Sequence, residues 1–468
     1  MIRWIGRHLG RALDRRLRLA KFVRRAMNHV FPDHWSFMLG EIALYSFIIL
    51  AITGTFLALF FDDSSAHVTY HGSYHALDGV DMTASYRSAI QLSFDVRAGL
   101  LIRQMHHWTA LIFIAAIIAH LARIFFTAAY RRPREINWMV GVTLLLLALA
   151  NGYFGYSLLG DLLSGAGLRI AYAILLSVPF IGRWLAFLVL GGTVPNPETT
   201  AHMYVMHIWV IPVLIATLIA VHLSIIWRQM HTNYPGTRRT ESTIVGSRLW
   251  PSYAAKSLGL FFLLFGFVAM LGGLVQIDPV WVYGPYDPIA ILPGAQPDWY
   301  LGWVEGAMRL FPGVNIRFGS YLVPNVFFPA MLFPLLVFVG LYAYPFVEEM
   351  FTLDDRQHNV LELPSQQPFN TAFGCSVLVA MLVLLVAGGD DVIAVATNTS
   401  VVTIRSLLRL LFFVAPAFTA AFVFFVCRRQ QHRRDRRLHA GPRSGGISYD
   451  PSTQGNTDSA DHRDHAQS

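Results

Sequence analysis

Four histidines set in two pairs inside long apolar stretches constrain this chain more than anything else in it: His106 with His120, and His207 with His222. At 100° per residue a separation of fourteen returns to within about 40° of the starting face, and one of fifteen to within about 60°, so the members of each pair point the same way. With a rise of 1.5 Å per residue the two levels lie roughly 21 Å apart along each helix. An imidazole in hydrocarbon is costly and usually needs a partner. Two facing pairs at matching depths suit two iron atoms, each held axially by one histidine from each helix. A single intramembrane histidine is equally well explained by an ordinary helix–helix contact. Glycines of the same period weigh against that for the whole set: Gly40 and Gly54 are fourteen apart in the first apolar helix, Gly141 and Gly155 fourteen apart in the third. Lacking a Cβ, each lets a flat macrocycle lie close to the backbone.

Composition points the same way. A chain of 468 residues that is 54% hydrophobic and 14% charged, with mean hydropathy +0.47, is far from a soluble enzyme. Eight segments are apolar over a length that crosses about 30 Å of hydrocarbon, near 36–61, 98–127, 135–158, 199–228, 250–275, 319–346, 369–388 and 403–427. The expected fold is therefore an all-α integral membrane protein of eight transmembrane helices, the first four forming a bundle around the two iron levels. Residues 36–245 make that bundle and 246–430 carry the remaining four helices. Arg131, Arg132 and Arg134 follow the second helix, Arg228, Arg238 and Arg239 the fourth, and Arg428, Arg429, Arg433, Arg434, Arg436 and Arg437 the eighth. The other connections are poor in basic residues, so both termini are expected on the cytoplasmic side of the cell membrane.

The ends read differently. In residues 1–35, Ile5, Leu9, Leu13 and Leu17 recur every four positions among Arg7, Arg11, Arg15 and Arg16, the pattern of an interfacial amphipathic helix rather than a secretion signal. The net charge of +8 accordingly reads as attraction to membrane lipid, not to nucleic acid. Residues 431–468 read as a disordered polar tail, whose His439, His462 and His465 are solvated linker residues. Cys375 and Cys427 lie in no C-x-x-C-H sequence, which argues against covalent haem attachment or a cysteine-held cluster.

Around the histidines the local sequence is specific. Arg103-Gln104-Met105-His106-His107-Trp108 through His120-Leu121-Ala122-Arg123 resembles the second helix of cytochrome b from respiratory cytochrome bc complexes. Met206-His207-Ile208-Trp209-Val210-Ile211-Pro212 through Val221-His222-Leu223 resembles its fourth helix, while Ile52-Thr53-Gly54, Trp138-Met139-Val140-Gly141 and Phe154-Gly155-Tyr156 are similar to its glycine-bearing first and third. Pro297-Asp298-Trp299-Tyr300 resembles the P-E-W-Y signature of the quinol-oxidising site, with aspartate in place of glutamate. Ser93-Phe94-Asp95-Val96-Arg97, Gln296 and Gln229-Met230-His231-Thr232-Asn233-Tyr234-Pro235 look like the actinobacterial branch. The resemblance runs from about 30 to 430.

It implies a quinol–cytochrome c reductase subunit holding two non-covalent b haems, so that the bundle is a diheme one. His106 and His207 would ligate an outer, low-potential haem, and His120 and His222 an inner, high-potential one. Gly40, Gly54, Gly141 and Gly155 would lie against the haems. Arg103 and Arg123 would pair with propionates, unless they only mark helix ends at the interface. At the outer quinol site Asp298 is the candidate proton acceptor and Tyr156 a hydrogen-bonding neighbour. Trp299 and Tyr300 would bind the quinol, and Glu305 is a second carboxylate nearby. His107 and His202 turn away from the paired face and read as packing or loop-edge residues. At an inner quinone site the family's histidine would fall near Trp227 and its aspartate near Ser257; neither is present, leaving His231 and Lys256 as candidate substitutes. Implied partners are a Rieske-type iron–sulfur subunit, a cytochrome c subunit, a terminal oxidase and a second copy of the complex. Two rivals share parts of the pattern: a diheme anchor of another quinone-linked dehydrogenase, and a transporter with an intramembrane polar path.

Overall fold

The structure is a computed structural model that describes Asp14, Arg16 and residues 19–194, 196–290 and 296–439, with side chains to 436. Most of the amphipathic pattern around Ile5, Leu9, Leu13 and Leu17, and the tail from 440 with His462 and His465, lie outside the described residues. Eight described helices are long and apolar enough to cross a membrane: α1 Trp35–Ala58, α2 Gly99–Phe126, α3 Glu135–Ser157, α4 Glu198–Gln229, α5 Leu249–Leu274, α6 Phe328–Thr352, α7 Pro368–Ala387 and α8 Val401–His439. No more than 28% of any apolar window is buried inside the protein, so most of this apolar surface needs lipid against it.

Two boundaries differ from the sequence reading. Apolar residues from 319 onward suggest the start of α6, yet Ile316–Phe318 and Tyr321–Val323 pair as a hairpin instead. Gly319 supplies the turn at φ +60°, and the helix begins only at Phe328. At the other end the run expected to be loose from 431 continues α8 to His439. Its Arg428 to Arg437 are good helix formers extending an already nucleated helix.

On the arginine-poor face the connections carry helices too short to span: Ala84–Phe94, Leu162–Leu176, Gly182–Leu190 and Gly302–Leu310. Leu162–Leu176 is capped by Asp161, whose Oδ1 accepts the Ser164 N–H at 3.0 Å. On the opposite face, Arg131 between α2 and α3 pairs with Glu348 of α6 and, at 2.5 Å, with Glu362. Arg134 donates to the His358 carbonyl at 2.8 Å and to Asn359 Oδ1 at 2.6 Å. Two of the arginines used to orient the chain are therefore also clamps between its halves.

Helix α1 packs on α2, α2 on α3, and α3 on α4; α5 lies against α1 and α2, α6 against α3, and α7 joins α8 to Gly302–Leu310. The main core gathers Phe113, Ile114 and Ile117 of α2, Trp138, Val142 and Leu145 of α3, and Ile211 and Ile215 of α4, with Tyr300 reaching in from the loop. This leaves the histidine-bearing faces of α2 and α4 opposed across the bundle interior.

Candidate functional site

The four histidines meet as two pairs. At the level nearer the arginine-poor face the ring centroids of His106 and His207 are 6.2 Å apart, and at the other level those of His120 and His222 are 6.4 Å apart, both pairs near perpendicular. A separation of fourteen on α2 faces one of fifteen on α4, and the backbone absorbs the difference. Residues Met206–Val210 form a π-helical turn next to Pro212, which has no N–H to give and crowds the carbonyl one turn back. A π turn holds one residue more than an α turn, so fifteen residues of α4 rotate much as fourteen of α2 do.

Hydrogen bonds at the first level also decide which ring nitrogens are free. His207 Nδ1 lies 3.0 Å from the Asn151 carbonyl, which only accepts, so Nδ1 carries the proton. Thr53 gives its own hydroxyl proton to the Ile49 carbonyl at 2.7 Å, and its oxygen, 2.9 Å from His106 Nδ1, accepts from that ring. Both tautomers leave the Nε2 lone pair available to a ligand. At the second level Nδ1 of His120 and of His222 is buried without a partner.

The glycines are unequal. A Cβ on Gly155 would stand 2.6 Å from His207 Cε1, and one on Gly54 or Gly40 would stand 3.1 Å from Cε1 of His106 or His120. A Cβ on Gly141 would meet only Leu121 Cδ1, at 3.6 Å. Three of the four therefore make room for an imidazole, and Gly141 does not touch its histidine.

One arginine stands by each level with hydrogen-bonding capacity unused. Arg103 donates NH1 to the Asp278 carbonyl at 3.2 Å, yet its Nε and NH2 are buried and unpartnered. Arg123 lies 4.2 Å over the Phe37 ring, with NH2 likewise buried and unpartnered. Buried guanidinium nitrogens without acceptors are costly, which argues for anionic groups beside them and against simple markers of helix ends.

A cavity of about 510 Å³ opens at the first level. Its walls include His106, His207, Arg103, Tyr156, His107 and Asp298. Asp298 is held at 2.9 and 3.1 Å by His107 Nε2 and at 3.1 Å by the Tyr300 hydroxyl. The period does turn His107 off the paired face, but it is not the packing residue expected. A rotation of about 100° from His106 carries it to the loop bearing Asp298, a meeting of segments 191 residues apart that no local pattern encodes. Tyr300 packs its ring on Gly152, and burial, with Asp298 beside it, pushes its phenol well above the usual tyrosine range. Trp299 is partly exposed and does not line the cavity. Glu305 is tied to Arg309, which also holds Asp390 and Asp391. His202 lies within the helical start of α4, not at a loop edge, and its Nε2 bonds the Leu188 carbonyl at 2.9 Å.

At the far end Lys256 pairs with Asp33 at 2.9 Å on the surface, Trp227 stacks on His29, and His231 lies against Phe31. Ser257 bonds a carboxylate of α1 that the sequence reading passed over, Glu41.

The family model described as cytochrome b(N-terminal)/b6/petB matches residues 111–285. The cytochrome bc1 complex cytochrome b subunit of Corynebacterium efficiens is 43% identical over 443 residues, covering 95% of this chain and 82% of that protein. Those of Streptomyces coelicolor and Mycobacterium tuberculosis are each 44% identical over 440 residues, covering 94% of this chain and 80% of theirs. Among solved structures, a chain of a hyperthermophilic respiratory complex III matches with TM-score 0.66 at 19% identity, covering 91% of this chain and 99% of that one. That likeness is one of fold.

Proposed function

The chain belongs to the cytochrome b subunits of cytochrome bc1 complexes, and from that premise we propose that it oxidises quinol at the Asp298 cavity and passes electrons across the membrane to a second quinone site. The observation that carries this is the pair of histidine spacings. A metal takes an imidazole nitrogen at about 2 Å, and the ring centroid lies about 1.1 Å behind that nitrogen, so two rings on opposite sides of one metal set their centroids about 6 Å apart. The spacings are 6.2 and 6.4 Å. Among the described residues no three or more His, Cys, Asp or Glu side chains gather around a metal. Two histidines per level suit a metal whose other positions a macrocycle fills.

The residues fit two b haems. His106 and His207 would hold the outer, low-potential one, His120 and His222 the inner, high-potential one. The free nitrogens of Arg103 and Arg123 would take propionates, to which a guanidinium fork is matched. When bound, the haems would relay single electrons between the levels. Quinol oxidation releases two electrons and two protons, one electron going to a Rieske-type iron–sulfur subunit and the other inward. Asp298 accepts a proton in this reading, with His107 and Tyr300 holding the carboxylate at the cavity that Tyr156 also lines. Uptake of protons on the inner side and release on the outer make the chemistry a translocation, with both termini cytoplasmic. A cytochrome c subunit, a terminal oxidase and a second copy of the complex complete the assembly.

The test is a reduced-minus-oxidised visible spectrum of the purified complex together with quinol-driven cytochrome c reduction. Two b-type components, an iron–sulfur and a cytochrome c subunit in the preparation, and turnover support the proposal. Absence of b-type bands from well-folded protein overturns it.

A further inference from the structure

Glu41 stands inside α1, in the residue after the glycine that abuts His120. A half-buried carboxylate in the first turn of an apolar span calls for partners. Its hydrogen-bond partners are neutral hydroxyls from α5: Tyr253 donates to Oε1 at 2.5 Å and Ser257 to Oε2 at 2.6 Å, while the Tyr45 hydroxyl reaches Ser257 Oγ. Lys256, next to Ser257 in sequence, points instead to Asp33 at the surface, where Ser247 also donates to that carboxylate at 2.6 Å. Aromatic rings close around the cluster. Phe31 stacks on Tyr253 at 4.3 Å, Phe261 meets Tyr45 edge-on at 5.5 Å, and Phe31 also contacts His231 at 4.6 Å.

A protonatable carboxyl beside flat aromatic faces, one residue from the inner histidine level, is the equipment for reducing a quinone head group. We infer that Glu41 is the catalytic residue that protonates quinone at the inner site. The inference rests on the functional reading above. Two electrons arrive singly through the inner level. One proton passes from the Glu41 carboxyl to the near carbonyl oxygen and one from inner water to the far oxygen, giving quinol. The carboxylate left behind is held by Tyr253 and Ser257 and regains its proton from water near Asp33 and Lys256. Ser257 stands where the resemblance implies an aspartate, and a carboxylate reaches the same spot from α1.

Glu41→Gln keeps the shape and removes the transferable proton. In the assembled complex, a quinol pulse should still reduce both haems through the outer site, and haem content and tightly held quinone should stay at wild-type levels. Reoxidation of the inner haem by quinone should slow by roughly 10²-fold or more, and Glu41→Asp should recover part of the rate. Reoxidation at the wild-type rate in Glu41→Gln overturns the inference while leaving outer-site chemistry untouched; a wild-type protein without b haem overturns the functional reading itself. Should Glu41→Gln lose haem, Ser257→Ala decides. It removes a hydroxyl that holds the Glu41 carboxylate and touches no histidine of either pair, so haem content and outer-site reduction should stay at wild-type levels while reoxidation of the inner haem by quinone slows. Wild-type reoxidation in Ser257→Ala that keeps both haems overturns the inference.

Discussion

Gly155→Ala is the smallest change that separates a glycine needed for an imidazole from one needed only for helix packing. The new Cβ would lie 2.6 Å from His207 Cε1 and 3.1 Å from both ring nitrogens, whereas ordinary contact begins at 3.4 Å. The ring must therefore retreat by about 0.8 Å at Cε1, and it is not free to do so. Its Nδ1 is tied to the Asn151 carbonyl at 3.0 Å and its ring is opposed by that of His106, 6.2 Å away between centroids. Forcing one extra carbon into such a site costs about 1–3 kcal/mol. At 1.4 kcal/mol per decade that is roughly a 5- to 150-fold loss of affinity at the outer level. Gly141→Ala, whose Cβ would meet Leu121 at an ordinary 3.6 Å, should cost nothing measurable at the inner level. The assay is haem content per polypeptide with a redox titration resolving the two components. Full outer-haem occupancy and an unchanged potential in Gly155→Ala would refute the reasoning. So would equal losses in the two variants, since the argument lies in their difference.

His120→Leu and His222→Leu should each remove the inner haem and leave the outer one at least partly assembled; full stoichiometry of both haems in either variant would break the pairing. Asp298→Asn should retain both haems, because no ligand is touched, yet slow quinol-driven cytochrome c reduction by roughly 10²–10⁴-fold, while Asp298→Glu keeps substantial activity. Near-normal turnover in Asp298→Asn would take the carboxylate out of the mechanism. His107→Leu should also leave haem content unchanged but lower turnover, since it frees a carboxylate now held at 2.9 Å. Haem loss in that variant would mean that His107 supports its neighbour rather than Asp298.

What could be read from the sequence was what is periodic. The eight spans follow from runs of apolar residues, and the opposed histidines from the 3.6-residue period, because both are properties of one helix. The start of α6 was not legible, since the residues of its preceding hairpin are as apolar as the helix and only Gly319 marks the turn. Nor was the partnership of His107 with Asp298 or of Ser257 with Glu41, each of which joins segments about two hundred residues apart. Glu41 in particular looks in sequence like a lone charge near a helix end, and its role depends on what α5 brings to it.

The fourth helix shows how a sequence irregularity can be a geometric correction. Fifteen residues of uninterrupted α-helix would set His222 about 60° from His207, a further 100° of rotation beyond what fourteen gives on α2, so one ring of the inner pair would miss the axis. The π turn at Met206–Val210 removes that excess at the level where Pro212 already denies the helix a hydrogen bond. The cost of the defect thus falls at a point where the ladder is broken anyway, and the two inner rings come to 6.4 Å, within 0.2 Å of the spacing of the outer pair at 6.2 Å. Proline five residues after a histidine is therefore part of the ligand geometry, although it touches no ligand.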